Sequence, residues 1–340
     1  MGVALRWLSI AALTMLTIGL GVFVPLWIGT RGDHPIPALV TGDPALPAAQ
    51  IAGHRLHLRI HDGPAGAPTV IVLHGGPGGD FRSLQGLADL SDAYHVVFYD
   101  QRGAGLSERV PADFLTLDGY LQELAAVIDH IAPNERITLI GHSWGAMLAV
   151  AYLGVDPAHV DRAVLIEPGY LDAVGRDLWQ DEAQQFMSGL SYVSTTVLTG
   201  FRAAQVDGPD PYAPDDFLIG RMVRAFASHP DNPYHCGDGY DAPAWRFGAQ
   251  ANASWDAVDA ADVDRIARGA ETYGGPVLLM AGACNDWIGA ELQAQHRERF
   301  SEADLVVVRE AGHDLLWDNP HAALSAIRDF LRQPGAGLHH

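Results

Sequence analysis

Ser143 stands between two glycines in Gly141-His142-Ser143-Trp144-Gly145, directly after the apolar run at 136–141. A serine hydroxyl is a weak nucleophile at neutral pH, so it needs a base and a group that orients that base. His313, in "REAGHDLLW", is the candidate base, and Asp286, in "AGACNDW", is the candidate orienting acid. Each of the three has an ordinary reading when taken alone: a serine cap on a strand-to-helix turn, a loop histidine, a helix-capping aspartate. Asn285 and Asp304 compete with Asp286 for its role. Together, in the chain order Ser, Asp, His, the residues point to acyl transfer through a covalent intermediate.

Such chemistry also needs donors for the negative oxygen of the intermediate. "LHGGPGG" at 73–79 ends a strand, and its glycines let backbone N–H groups come close to a substrate oxygen. The amides of Gly76 and Trp144 are assigned that task, with Gly75 as the alternative to Gly76. The related run "DQRGAGLS" at 100–107 is read as the floor of the site, with Asp100 and Arg102 able to pair and fix it.

The elements that must hold these residues are legible as short apolar strands alternating with helices. "HRLHLRI" alternates as a half-exposed strand does, whereas "TVIVLH" at 69–74 and "HVVFYD" at 95–100 read as buried strands. The helix at 117–132 carries Leu121, Leu124, Ala125, Ile128 and Ile131 at helical spacing. A strand at 136–141, a helix after Ser143 and a strand at 162–167 follow. The alternation stops over 170–264, which is acidic, aromatic and rich in proline. It resumes with strands at 276–282 and 304–310 and helices near 289–299 and 320–332. This predicts a mostly parallel sheet covered on both faces, with an inserted lid at one edge. The expected organisation is an apolar N-terminal segment at 1–28, a linker at 29–49, a core at 50–169 and 265–333, a lid at 170–264 and a tail at 334–340. In this arrangement Ser143, Asp286 and His313 all follow strands at the same edge.

Composition narrows the alternatives. The 340 residues carry 21 basic and 41 acidic side chains, a formal net charge of −20, and every basic one is arginine. The acidity argues against nucleic-acid binding. The missing lysine excludes a P-loop lysine, a pyridoxal Schiff base and a lysine base. The sixteen histidines form no HExxH and no Cys/His cluster, so no metal is expected. Cys236 and Cys284 lack the spacing of a zinc or CxxC site and are free to pair in an oxidising compartment. Trp7–Ile28 contains no charge and as a helix would extend about 33 Å, close to the hydrocarbon thickness of a bilayer. We therefore expect a transmembrane anchor with the catalytic body outside the cytoplasm, a cleaved signal segment being the alternative.

"HGGPGG", "DQRGAGLS" and "GHSWGA", followed by Asp286 and His313, resemble the α/β-hydrolase superfamily, and within it the proline iminopeptidase branch. The resemblance covers roughly 50–169 and 270–332. It implies an α/β-hydrolase fold and cofactor-free hydrolysis of an N-terminal residue from a small-molecule or peptide substrate. Enzymes of that branch hold the substrate ammonium with lid glutamates. Here the comparable stretch "PAWRFGAQANASW" at 243–255 places Arg246 after Trp245, and a cation there would repel an ammonium. Glu167, Asp238 and Asp241 are the candidate amine partners, and Trp245, Phe247 and Trp255 candidate walls of an apolar acyl pocket. A carboxylesterase or lactonase acting on substrates without a free amine is the rival reading. A ligand-binding protein that has lost turnover is a further one.

Overall fold

A computed structural model describes residues 20–237 and 239–333. Eight strands form one sheet: β1 (Ala48–Ile51), β2 (His54–His61), β3 (Thr69–Leu73), β4 (His95–Tyr99), β5 (Ile137–His142), β6 (Val160–Ile166), β7 (Val277–Gly282) and β8 (Ala303–Val308). Their order across the sheet is β1-β2-β4-β3-β5-β6-β7-β8. The β1–β2 and β2–β4 pairs are antiparallel; every pair from β4 through β3 to β8 is parallel. Parallel strands need crossovers, and these crossovers are helices that bury both faces. That is why β3, β5 and β7 are mostly apolar and are buried along their whole length.

One face is covered by α2 (Leu117–Ile131), α3 (Trp144–Leu153) and α8 (Ala260–Thr272), the other by the 3-10 segment Phe81–Asp92, α10 (Leu315–Asp318) and α11 (Pro320–Leu331). Thr116 starts α2 by accepting the Gly119 N–H at 3.1 Å. Every residue of α3 is buried, since it lies between the sheet, α2 and α8. The lid contains α4 (Ala173–Phe186), α5 (Gly189–Ala203), α6 (Ala213–Ala227) and the short α7 (Ala249–Ala253). Helix α8 begins inside the stretch expected as lid, but its Val263 and Ile266 join the core beneath α3. Helix α9 (Ala290–Arg297) connects β7 to β8.

Two expectations change at the N-terminal side. The stretch read as a linker is packed down: Leu39 and Val40 are buried, and the Val40 N–H donates to Leu106 O at 2.9 Å. Strand β1 also begins within it, paired to β2. The first described helix, α1, spans 20–29, the last part of the uncharged stretch; Trp7 to Gly19 lie outside the described residues. Among the described residues no helix is long and apolar enough to cross a membrane. The tail at 334–340 also lies outside them.

Candidate active site

β5 ends in His142 and α3 starts at Trp144, so one residue makes the whole turn. That residue is Ser143, at φ 54° and ψ −120°. A side chain in this region is strained, at about 1–3 kcal/mol, and persists only where the surroundings hold it. Here the Ser143 N–H donates to Ile166 O at 2.8 Å, tying the turn to the end of β6. Gly145 is required two residues on, because a Cβ there would lie 2.2 Å from Leu73 O. The turn lifts Ser143 into the wall of a cavity of about 1120 Å³ between the sheet edge and the lid, where His313, Gly75, Gly76, Trp245, Phe247 and Trp255 also stand.

His313 lies in the loop after β8 and is held on several sides. Its Nδ1–H donates to Glu167 Oε2 at 2.7 Å. Its backbone N–H donates to Tyr234 O at 2.9 Å, and its ring stacks on the Tyr234 ring with centroids 4.3 Å apart. The His142 ring, 4.5 Å away, donates from Nε2 to the His313 carbonyl at 2.9 Å. Burial, then the neighbouring His313 ring, push the His142 imidazole down to about 4. His142 is therefore neutral at pH 7 and acts as a hydrogen-bonding strut.

The carboxylate facing His313 is thus Glu167 and not Asp286. Glu167 follows β6, is fully buried, and has φ 44°, a second strained residue at the end of the neighbouring strand. Its Oε1 accepts the Gly282 N–H at 2.7 Å and its Oε2 the Asn285 Nδ2–H at 2.8 Å. Burial pushes the Glu167 carboxyl up to about 8, although the hydrogen bonds from Gly282 and Asn285 pull the other way. Both oxygens act as acceptors, which favours the ionised acid, fixes the His313 proton on Nδ1 and leaves Nε2 as the basic nitrogen. Asp286, one residue beyond Asn285, is exposed. The β7 loop turns Asn285 inward instead, where its Oδ1 accepts the Trp287 and Ile288 N–H groups. Asp304 sits near the start of β8, at the far end of that strand from His313. Glu167 is also removed as an amine partner, because its carboxyl is committed to His313.

The glycine loop after β3 makes a turn that only glycine can make. Gly76 has φ 133°, and a Cβ there would lie 2.5 Å from Gly78 N. Trp144 supplies the first N–H of α3, one of those that have no acceptor within the helix. Its indole Nε1–H donates to Gln101 Oε1 at 3.0 Å, and Gln101 Nε2 donates to His74 O. The 100–107 loop is a floor, but not through the pairing expected of it. Asp100 accepts from buried His57 Nδ1 at 2.7 Å and from the Phe81 and Leu106 amides. Arg102 instead binds Glu123 of α2 at 2.9 Å.

The objection raised by Arg246 also falls. Its guanidinium is buried, bidentate to Asp210 at 2.7 Å and donating from Nε to Asp216 at 2.7 Å. Arg109 from the core shares Asp216, and Arg246 further donates to Pro37 O. This cluster neutralises the cation and ties α6, the 243–247 strap, the core and the N-terminal stretch together. Of the other amine candidates, Asp241 accepts from Trp317 Nε1. Asp238 lies outside the described residues. Cys236 and Cys284 are joined in a disulfide with Cα atoms 5.4 Å apart. That bond links the lid segment bearing Tyr234 to the loop bearing Asn285. Sequence reasoning missed Tyr234, and no local pattern could have marked it.

Residues 68–320 match the family model for the alpha/beta hydrolase fold. The chain belongs to the α/β-hydrolase family. A proline iminopeptidase of Heyndrickxia coagulans is 34% identical over 142 residues, 41% of this chain and 47% of that one. A proline iminopeptidase of Saccharolobus solfataricus is 38% identical over 106 residues, 30% of this chain and 34% of that one. The chain thus spans less than half the length of these relatives. The enol-lactonase from Burkholderia xenovorans LB400 superposes with a TM-score of 0.58 at 21% identity, covering 84% of this chain and 99% of that one, and shows the shared fold.

Proposed function

We propose that this α/β-hydrolase cleaves ester or amide bonds through Ser143, His313 and Glu167. The observation that carries this is the Glu167–His313 bond of 2.7 Å, which aims the imidazole from the cavity wall shared with strained Ser143. Ser143 Oγ attacks the carbonyl carbon while His313 Nε2 takes its proton. The Gly76 and Trp144 amides receive the oxyanion. His313 returns the proton to the leaving group, and water activated by the same nitrogen then releases the acyl group. Trp245, Phe247 and Trp255 offer an apolar wall to the acyl chain. The Ser143→Ala variant is expected to fold normally, lose turnover of short p-nitrophenyl esters and lose labelling by a fluorophosphonate. Undiminished turnover in that variant refutes the assignment.

A second reading is hydrolysis of an N-terminal residue, as in the iminopeptidase relatives. Neutralisation of Arg246 favours it, since no free cation then opposes an ammonium. Yet Asp80 accepts the Trp245 and Arg246 amides and Asp216 binds two arginines. Asp256 is the remaining carboxylate among the described residues lining the cavity. A panel of proline arylamide, its N-blocked form and p-nitrophenyl esters separates the readings. Preference for the free amine, lost in Asp256→Asn, supports the peptidase; indifference to the amine supports the esterase.

The Cys236–Cys284 disulfide and the uncharged stretch Trp7–Ile28 support a membrane-anchored enzyme with its catalytic body in an oxidising, extracytoplasmic setting. Secretion after cleavage is the alternative.

A further inference from the structure

Large apolar side chains stand exposed at seventeen positions among the described residues, and eleven of these lie on α1, α4 and the α4–α5 connection and α5. On α5 they are Leu190, Val193 and Val197, with Leu190 at 89% exposure; on α4 they are Val174 and Leu178. Leu190, Val193 and Val197 fall at helical spacing, and the same stripe continues to Phe201. There it meets α1: the Phe23 and Phe201 rings are 5.3 Å apart, and Gln205 Nε2 donates to Thr30 Oγ1 at 2.9 Å. The exposed apolar residues of α1, including Val22, Phe23 and Val24, therefore extend the lid stripe.

The charge pattern along this face is unusual for so acidic a chain. Residues 187–201 carry no charged side chain, although the whole chain has 41 acidic ones. The chain leading into α1 from Trp7 to Gly19 is likewise uncharged and apolar. The stripe of α5, continued by α1 through the Phe23–Phe201 contact, is an exposed apolar patch of the kind that marks an interaction surface. An occupant that takes up the N-terminal apolar stretch lies directly beside the lid stripe.

We propose that α1 and the exposed apolar face of α5 dock on a lipid bilayer. The cavity then opens beside that surface, since Met187 and Tyr192, next to the stripe, line it. An enzyme so placed takes lipophilic acyl esters or amides from the bilayer. This substrate class rests on the hydrolase reading, whereas the docking does not. The lipid is zwitterionic, because a net charge of −20 opposes an anionic surface.

The test uses the full chain. Both native cysteines are in the disulfide, so Leu190→Cys supplies a single thiol for an environment-sensitive fluorophore. Val155→Cys, beyond the C-terminal end of α3 and away from the lid, is the control. With phosphatidylcholine vesicles containing spin-labelled lipid, the label at 190 is expected to shift to the blue and be quenched, and the label at 155 to do neither. A label at 190 that stays in water while the chain floats with vesicles overturns the proposal. So does a label shielded before lipid is added: with a dimer mass the occupant is a second copy, with a monomer mass the chain's own N-terminal stretch. The triple variant L190S/V193S/V197S is expected to lose several-fold in rate on a long-chain ester held in vesicles and to keep its rate on a soluble short ester. An equal loss on both esters overturns the bilayer route. No turnover of the short ester by the unmodified chain counts against the hydrolase reading alone, and the fluorescence still decides the docking.

Discussion

Glu167 and Asp286 make the sharpest contrast at the level of single residues. Both follow strands at one sheet edge, but the carboxylate of Glu167 is buried against His313 and Asp286 is exposed. The Glu167→Gln variant keeps the shape but can no longer accept every hydrogen bond, and the imidazole loses its fixed tautomer. Turnover is expected to fall by about a thousandfold or more, while Asp286→Asn leaves it essentially unchanged. Steady-state kinetics of the two variants side by side check this. A second outcome concerns pH. Burial lowers the His313 imidazole from its ordinary value, with Asp314 and Asp318 opposing. A base with a lowered pKa stays neutral to lower pH, so the acid limb of the kcat/KM profile should fall below about 6.5. The limb belongs to the His313–Glu167 pair and is to be read as such.

Elements place these residues by a few tight connections. The strand-to-helix turn at Ser143 and the helices around it followed from apolar periodicity, and the observed β5 and α3 agree with that reading. The lid was visible in sequence as a loss of alternation, but not how it is fastened. Its fastening is ionic: Asp216 on α6 holds Arg109 and Arg246, whose side chains are almost wholly buried. Removing the shared carboxylate in Asp216→Ala leaves the buried Arg109 charge without a carboxylate, while Arg246 keeps Asp210, a cost of about 3–5 kcal/mol. Denaturant unfolding should show that loss. A destabilisation no larger than that of an exposed ion pair would mean that the lid is held by packing instead.

Across the whole molecule, the disulfide joins segments 48 residues apart, one in the lid and one in the core. Reduction, or the Cys236→Ser/Cys284→Ser variant, should lower unfolding stability by about 2–4 kcal/mol. It also frees Tyr234 from the loop that carries Asn285, so turnover should drop along with stability. Thermal unfolding and ester hydrolysis with and without dithiothreitol measure both. Full activity after complete reduction would show that the Tyr234–His313 stack holds without the crosslink.

Local patterning determined much of this protein. Strand and helix positions, the sharp serine turn, the glycine loop and the histidine after the last strand were all readable, because each depends on neighbours within a few residues. Tertiary structure alone decided which acid meets His313, which lid residue stacks on it, how Arg246 is neutralised and that the two cysteines meet. β6 lies between β5 and β7, so loops after β6 and β7 reach the same edge. Only the backbone turn at Glu167 and the inward Asn285 select between their acids. Such choices depend on side-chain direction across strands distant in sequence, which spacing along one chain does not encode.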